Sequence, residues 1–229
     1  MTTIHAAPPG VDPMVGAAPL DAAMAIDWIR RIAAAVHARR EYLNQLDRAI
    51  GDGDHGTNLD RGLLASTGAL YAEPPASVSA VLAAVGRTLV STVGGASGPL
   101  YAVGLRSTGR ALEADGDQVT AQRFGAALHE GLAAIERLGE AEVGDKTIID
   151  AFGPAVMAFA DAADSGRSFG VAAVAADRAA ARGAEAITAL VARTGRAAYV
   201  GERSAGHQDP GATSTSLLFH ALAEASAAP

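Results

Sequence analysis

Cysteine is absent from the 229 residues, which removes disulfides, thiolate nucleophiles and the usual structural zinc sites, and leaves the chain no redox chemistry of its own. That usage fits a reducing cytosol. Aromatic residues make up only 4%, and β-branched residues never gather in alternating runs, so strands lack their usual material. There is no cluster of Lys or Arg, and the formal net charge is -7; a nucleic-acid surface needs a basic patch, so that class of function is excluded. A phosphate bound by this chain has to be held by metal ions and backbone amides instead. No apolar run is long enough for a bilayer, and the first basic side chain is Arg30, so neither a membrane span nor a secretory signal is expected. The expectation is a soluble, cytoplasmic protein.

What is present favours helix. Alanine dominates, and 49% of the residues are hydrophobic, enough for a real core in one domain of ordinary size. Residues 1–20 are rich in Pro, Gly and Ala without periodicity and read as a flexible extension. From there to residue 229 the pattern is that of a single all-α domain. Ile26, Ile29, Ile32, Val36, Leu43 and Leu46 recur at helical spacing behind Asp21, a plausible N-cap. Further helices are expected near 57–71, 77–93, 99–113, 120–138, 147–163, 168–194 and 212–226, giving about eight. In an up-and-down arrangement, several connections meet at one end.

Four of those connections carry unusual chemistry. The first, from Asp47 to Asn58, holds Asp47, Asp52 and Asp54 with glycines around Asp52. Converging carboxylates repel one another unless a cation neutralises them, and an oxygen-only set suits Mg²⁺ shared with nucleotide phosphates. The alternative is that these acids are turn and cap formers. An EF-hand does not fit, because no Glu stands at the twelfth position counted from Asp52. The second connection, Gly94 to Pro99, leaves free amides at a helix start, which suit phosphate; a tight helix crossing is the alternative. It matches neither the P-loop nor the dinucleotide fingerprint. In the third, Asp145 reads as a helix cap and Lys146 as a phosphate counter-charge. The fourth, from Gly195 and Arg196 to Thr213, is the longest, and its Asp209-Pro210-Gly211 turn could close over a base or ribose.

The segments LDRAIGDGDHG, VGGASGPL, GDKTIIDAFGP and GERSAGHQDPGATS, in that order, resemble the L subunit, the nucleotide-binding subunit, of bacterial dihydroxyacetone kinase. The likeness runs from about Asp27 to Leu222. It implies an antiparallel barrel of eight helices with ADP or ATP at one end, and two Mg²⁺ ions held by Asp47, Asp52 and Asp54, the catalytic apparatus. His55, Gly56, Thr57 and Asn58 would contact nucleotide and phosphates, as would Ala96 and Ser97. Gly139, Ile148, Arg196, Asp209, Pro210 and Gly211 would line the nucleoside pocket, with Ile148 contributing apolar packing. The resemblance also implies a separate K-type subunit that holds the substrate on a histidine. The phosphoryl donor is either exchangeable ATP or a bound ADP recharged by a phosphotransferase-system subunit. Other acceptors on the same fold are a four-carbon ketose or, as in the related fatty acid kinases, an acyl carboxylate; a regulatory nucleotide-binding module is the reading from a different class.

Overall fold

The first helix of the structure, a computed structural model that describes residues 19–227, opens where Asp21 accepts a hydrogen bond from the Met24 amide at 2.8 Å. An acceptor at this point satisfies one of the amides that a helix start leaves free. The expected N-terminal extension lies, up to residue 18, outside the described residues; Leu20 belongs to the fold, fully buried and bridged to Val119 by two backbone bonds of 2.9 and 2.8 Å. Helix α1 (Ala22–Ala38) buries Ala25, Trp28, Ile29, Ile32 and Val36. The single helix expected through Leu46 is in fact two. The Arg39 amide tightens onto the Ala35 and Val36 carbonyls at 3.2 and 3.1 Å, ending α1 without Gly or Pro, and α2 (Arg40–Ile50) restarts at once.

The remaining elements are α3 (His55–Ala72), α4 (Val78–Thr92), α5 (Ser97–Ala111), α6 (Ala121–Gly139), α7 (Ile149–Asp164), α8 (Phe169–Ala186), the short α9 (Gly195–Ala198), a 3₁₀ turn (Gly201–Ser204) and α10 (Pro210–Ala227). Hydroxyl caps from Ser77, Thr120 and Ser168 open α4, α6 and α8. The helix expected over 168–194 stops at Ala186, where the Thr188 and Leu190 amides tighten onto the Glu185 and Ile187 carbonyls at 3.1 and 3.0 Å; the Thr188 and Leu190 carbonyls turn to the Lys146 ammonium, and that of Thr188 also accepts the Gly206 amide. Eight long helices form a closed ring in the order α1, α3, α4, α5, α6, α7, α8, α10, with α10 packed back on α1. This is the barrel the sequence suggested, with α2 and α9 added. No strand occurs among the described residues, and no helix there is long and apolar enough to cross a membrane.

Small residues let the ring close tightly. A side chain at Gly131 would stand 2.3 Å from Thr108 Oγ1, and one at Gly104 would stand 2.7 Å from Ile135 Cδ1. Inside, Phe124 meets Trp28, Phe159 and Phe169 with ring centroids 6.0, 5.4 and 5.4 Å apart. Because successive helices alternate in direction, residues 51–54, 93–96, 140–148 and 187–209 all emerge at the same end of the ring.

Candidate nucleotide and metal site

Asp47 sits in the last turn of α2, buried, and its Oδ2 accepts the amides of Asp54 and His55 at 2.8 and 3.0 Å. It therefore caps α3 from a distance, leaving the carboxylate of Asp54, the residue that precedes the helix, without a capping bond. One oxygen each from Asp47, Asp52 and Asp54 lies within 4.8 Å of the others, and Asp52 and Asp54 are exposed. Three hard oxygens this close, with no nitrogen or sulfur among them, are a fitting donor set for Mg²⁺. Gly51 makes the approach possible, since a side chain there would fall 2.1 Å from Asp47 Oδ1. Arg196, from α9, ion-pairs with Asp52, and its Nη2 lies 3.7 Å from where a Gly95 side chain would begin. It thus bridges the acidic loop and the glycine loop.

Across the cavity, Gly95 takes a left-handed turn (φ 74°) and α5 begins at Ser97, two residues before Pro99. The amides of the first helical turn carry partial positive charge suited to an anion. His55, the first residue of α3, is buried between two hydroxyls, with Nδ1 3.0 Å from Ser97 Oγ and Nε2 2.9 Å from Ser214 Oγ. Burial, offset only in part by Asp47 and Asp54, pushes its pKa down to about 4, so the ring is neutral at pH 7. Tyr101 continues the row, 2.7 Å from Ser214 Oγ and 2.9 Å from Thr215 Oγ1, and burial raises its phenol to about 12.

The third loop differs from expectation. Lys146 is not a phosphate counter-charge on the surface; it is 1% exposed and its ammonium donates to the carbonyls of Thr188, Leu190 and Ser204, each at 2.8 Å. Its donors are thus spent on tying the fourth connection to α7. Nor does Asp145 cap α7. Its carboxylate accepts the Glu142 amide, while the buried Asp150 accepts the amides of Gly144 and Thr147. In the fourth loop, Asp209 Oδ2 accepts the Ala212 amide at 2.7 Å and opens α10. Burial, reinforced by Asp150 and opposed by that amide and by Lys146, raises the Asp209 pKa to about 7.

One cavity gathers most of the residues singled out from sequence. Asp47, Asp52, Asp54, His55 and Asn58 line one side, and Ala96 and Ser97 another. Ile148, Arg196 and the Asp209-Pro210-Gly211 turn complete it. Gly56, Thr57 and Gly139 do not line it. Gly56 lets α3 press against the Arg40 carbonyl, Thr57 exchanges two hydrogen bonds with Asn44, and Gly139 faces Leu100. Sequence reasoning missed Leu100 and Thr194 in the lining, and the Tyr101 and Ser214 hydroxyls behind it. The Thr213-Ser214-Thr215 run after the turn was the available signal for the latter.

Comparison with known proteins agrees with this geometry. The DAK2 domain matches residues 49–224. The chain is 38% identical over 200 residues to the ADP-binding subunit DhaL of PEP-dependent dihydroxyacetone kinase 1 from Listeria innocua serovar 6a, covering 86% of this chain and 93% of that protein. The corresponding Escherichia coli K12 subunit is 37% identical over 198 residues, with 86% and 94% covered. L-erythrulose 1-kinase of Mycolicibacterium smegmatis is 37% identical over 187 residues, 80% of this chain but 32% of that protein. Among solved structures, the dihydroxyacetone kinase of C. freundii in complex with AMP-PNP and Mg²⁺ superimposes with a TM-score of 0.70 at 27% identity, covering 98% of this chain and 38% of that one. The chain belongs to the DAK2 domain family.

Proposed function

We propose that this chain is the nucleotide-binding, phosphoryl-donating subunit of a dihydroxyacetone kinase, working in the cytoplasm with a K-type subunit that holds the ketose. The observation that carries this reading is the convergence of Asp47, Asp52 and Asp54 on a cavity whose opposite wall is the Gly94–Ser97 turn. Asp47, Asp52 and Asp54 would hold Mg²⁺, with room in the reading for two ions. When bound, the metal neutralises charge on the phosphate oxygens during transfer. The chain's own residues do the positioning: Asp47 is fixed by two amides, Asn58, Ala96 and Ser97 meet the phosphates, and Ile148, Arg196 and the Asp209–Gly211 turn receive the nucleoside. Transfer of this kind depends on alignment and charge neutralisation more than on a protein nucleophile.

The named relatives support ADP as the bound nucleotide, and the PEP-dependent and PTS-dependent labels they carry favour recharging by a phosphotransferase-system subunit over exchange with free ATP. A four-carbon ketose as acceptor is the second reading, supported by the L-erythrulose 1-kinase relative. The test is reconstitution. The purified chain is mixed with Mg²⁺, ATP and dihydroxyacetone, then with a K-type subunit, then with the phosphotransferase components as well. Product is expected only when the K-type subunit is present, and efficient turnover by the chain alone would sink the two-chain reading. Erythrulose in parallel tubes separates the two acceptors.

A further inference from the structure

We propose that Arg61 is a positioning residue that fixes the Asn58 side-chain amide, so that Nδ2 faces the cavity and donates to a nucleotide phosphate oxygen beside Gly94. The proposal rests on the reading of the cavity as a nucleotide site. It adds a residue behind the cavity wall and names the atom of Asn58 that meets the phosphate.

Asn58 is the fourth residue of α3, 8% exposed and part of the cavity wall. Arg61 lies three residues further along the same face. Helical side chains lean toward the helix start, so Arg61 reaches back over Asn58, and its Nη2 donates to Asn58 Oδ1 at 2.9 Å. That contact settles which way the amide points. The oxygen and nitrogen of an amide are alike in shape, and their partners decide between them. A guanidinium has donors only and stays charged at neutral pH, so the atom it meets has to be the oxygen. The reversed amide would set N–H against N–H at Arg61 and oxygen against the phosphate oxygens.

In the fixed orientation Nδ2 has no hydrogen-bond partner among the described residues, although buried amide donors nearly always have one. What lies in front of it is the glycine loop, where a side chain at Gly94 would begin 3.6 Å from Nδ2. A phosphate oxygen seated on that loop is the missing acceptor, and a bond to an anion is stronger than one to a neutral group. Arg61 fixes the loop as well. Its Nε donates at 2.9 Å to the carbonyl of Thr92, the last residue of α4, where carbonyls lack helical partners. Next to it, Gly62 lets α3 close on the same segment, since a side chain there would fall 2.0 Å from Val93 Cγ2. The neighbouring acid does not compete for the guanidinium, because Asp60 pairs with His37 and Arg40. The Asn58 amide and the loop that leaves α4 are thus both held to one side chain.

The chain has two asparagines, Asn44 and Asn58, so the whole chain labelled with ¹⁵N-asparagine shows two side-chain NH₂ groups, told apart by Asn58→Ala. On adding Mg²⁺ and ADP to saturation, an Asn58 amide proton is expected to move downfield in the native chain and not in Arg61→Met. An unmoved signal in the native chain, or the same movement in both, overturns the proposal. A double-mutant cycle reads the link as affinity. Arg61→Met should weaken Mg²⁺-dependent ADP binding about tenfold in the otherwise native chain and by no more than about twofold in the Asn58→Ala background. A residue that merely staples α3 to α4 costs the same in both, and equal losses overturn the proposal; melts without nucleotide check that all four chains are folded. A native chain that fails to bind ADP sinks the nucleotide reading itself, whereas tight native binding with equal losses sinks only the role of Arg61.

Discussion

Replacing Lys146 with methionine keeps the volume of the stem and removes the three donors that hold the carbonyls of Thr188, Leu190 and Ser204 at 2.8 Å each. The Ser204 bond is in dry surroundings, so its carbonyl would bear the full penalty of an unpaired buried acceptor, about 1–3 kcal/mol. The other two bonds are only partly buried, and water can replace the ammonium there at a net loss of about 1 kcal/mol each. The sum is about 3–5 kcal/mol, a large share of the roughly 5–15 kcal/mol that holds a domain together. For a chain of this size that lowers Tm by roughly 6–20 °C. Thermal and urea melts followed by far-ultraviolet dichroism measure the loss. Amide hydrogen exchange should rise first in residues 187–206, the segment the ammonium fastens to α7. A variant melting within about 2 °C of the native chain would refute the reasoning, because the three carbonyls would then be shown to need no cation.

Two other substitutions probe the site. Gly51→Ala places a methyl 2.1 Å from Asp47 Oδ1 and must displace that carboxylate, so Mg²⁺-dependent ADP binding should fall by about a hundredfold, and the metal-free melt should drop as well because the Asp54 and His55 amides lose their acceptor; calorimetry showing native affinity would mean that Asp47 is not where the metal binds. The Asp209 carboxyl, raised from 3.8 to about 7 by burial, contributes stability that is fully present below pH 3.8 and lost as pH rises through about 7. The loss is at most about 4 kcal/mol. Asp209→Asn retains the oxygen that accepts the Ala212 amide and cannot ionise, so its stability relative to the native chain should climb from pH 4 to pH 8, and parallel denaturation profiles would refute the shift.

The helices were legible because their burial follows from a period that the sequence displays, as at Trp28, Ile29, Ile32 and Val36, and because Asp21 announces its own cap. The break at Arg39 was not, since a tightened turn there needs neither Gly nor Pro. Asp47, Asp52 and Asp54 could be read as a cluster because they are close in the chain as well as in space. The long-range partners could not. Nothing near Lys146 in sequence tells that carbonyls more than forty residues away will surround its amine, and the same holds for His55 and Ser214, 159 positions apart. Asp150 rather than Asp145 receives the amides of Gly144 and Thr147 because α7 begins at Ile149, later than the apolar pattern suggests, which leaves Asp150 in the first turn, reaching back to the loop.

Lys146 is also the chain's single lysine, every other basic residue apart from histidine being arginine. Small hydroxyketones and hydroxyaldehydes condense with unprotonated primary amines to give imines that rearrange to stable adducts. A guanidinium stays protonated across the whole neutral range and resists that reaction. With its one side-chain amine 1% exposed and held by three carbonyls, the folded chain offers a reactive triose no lysine to glycate.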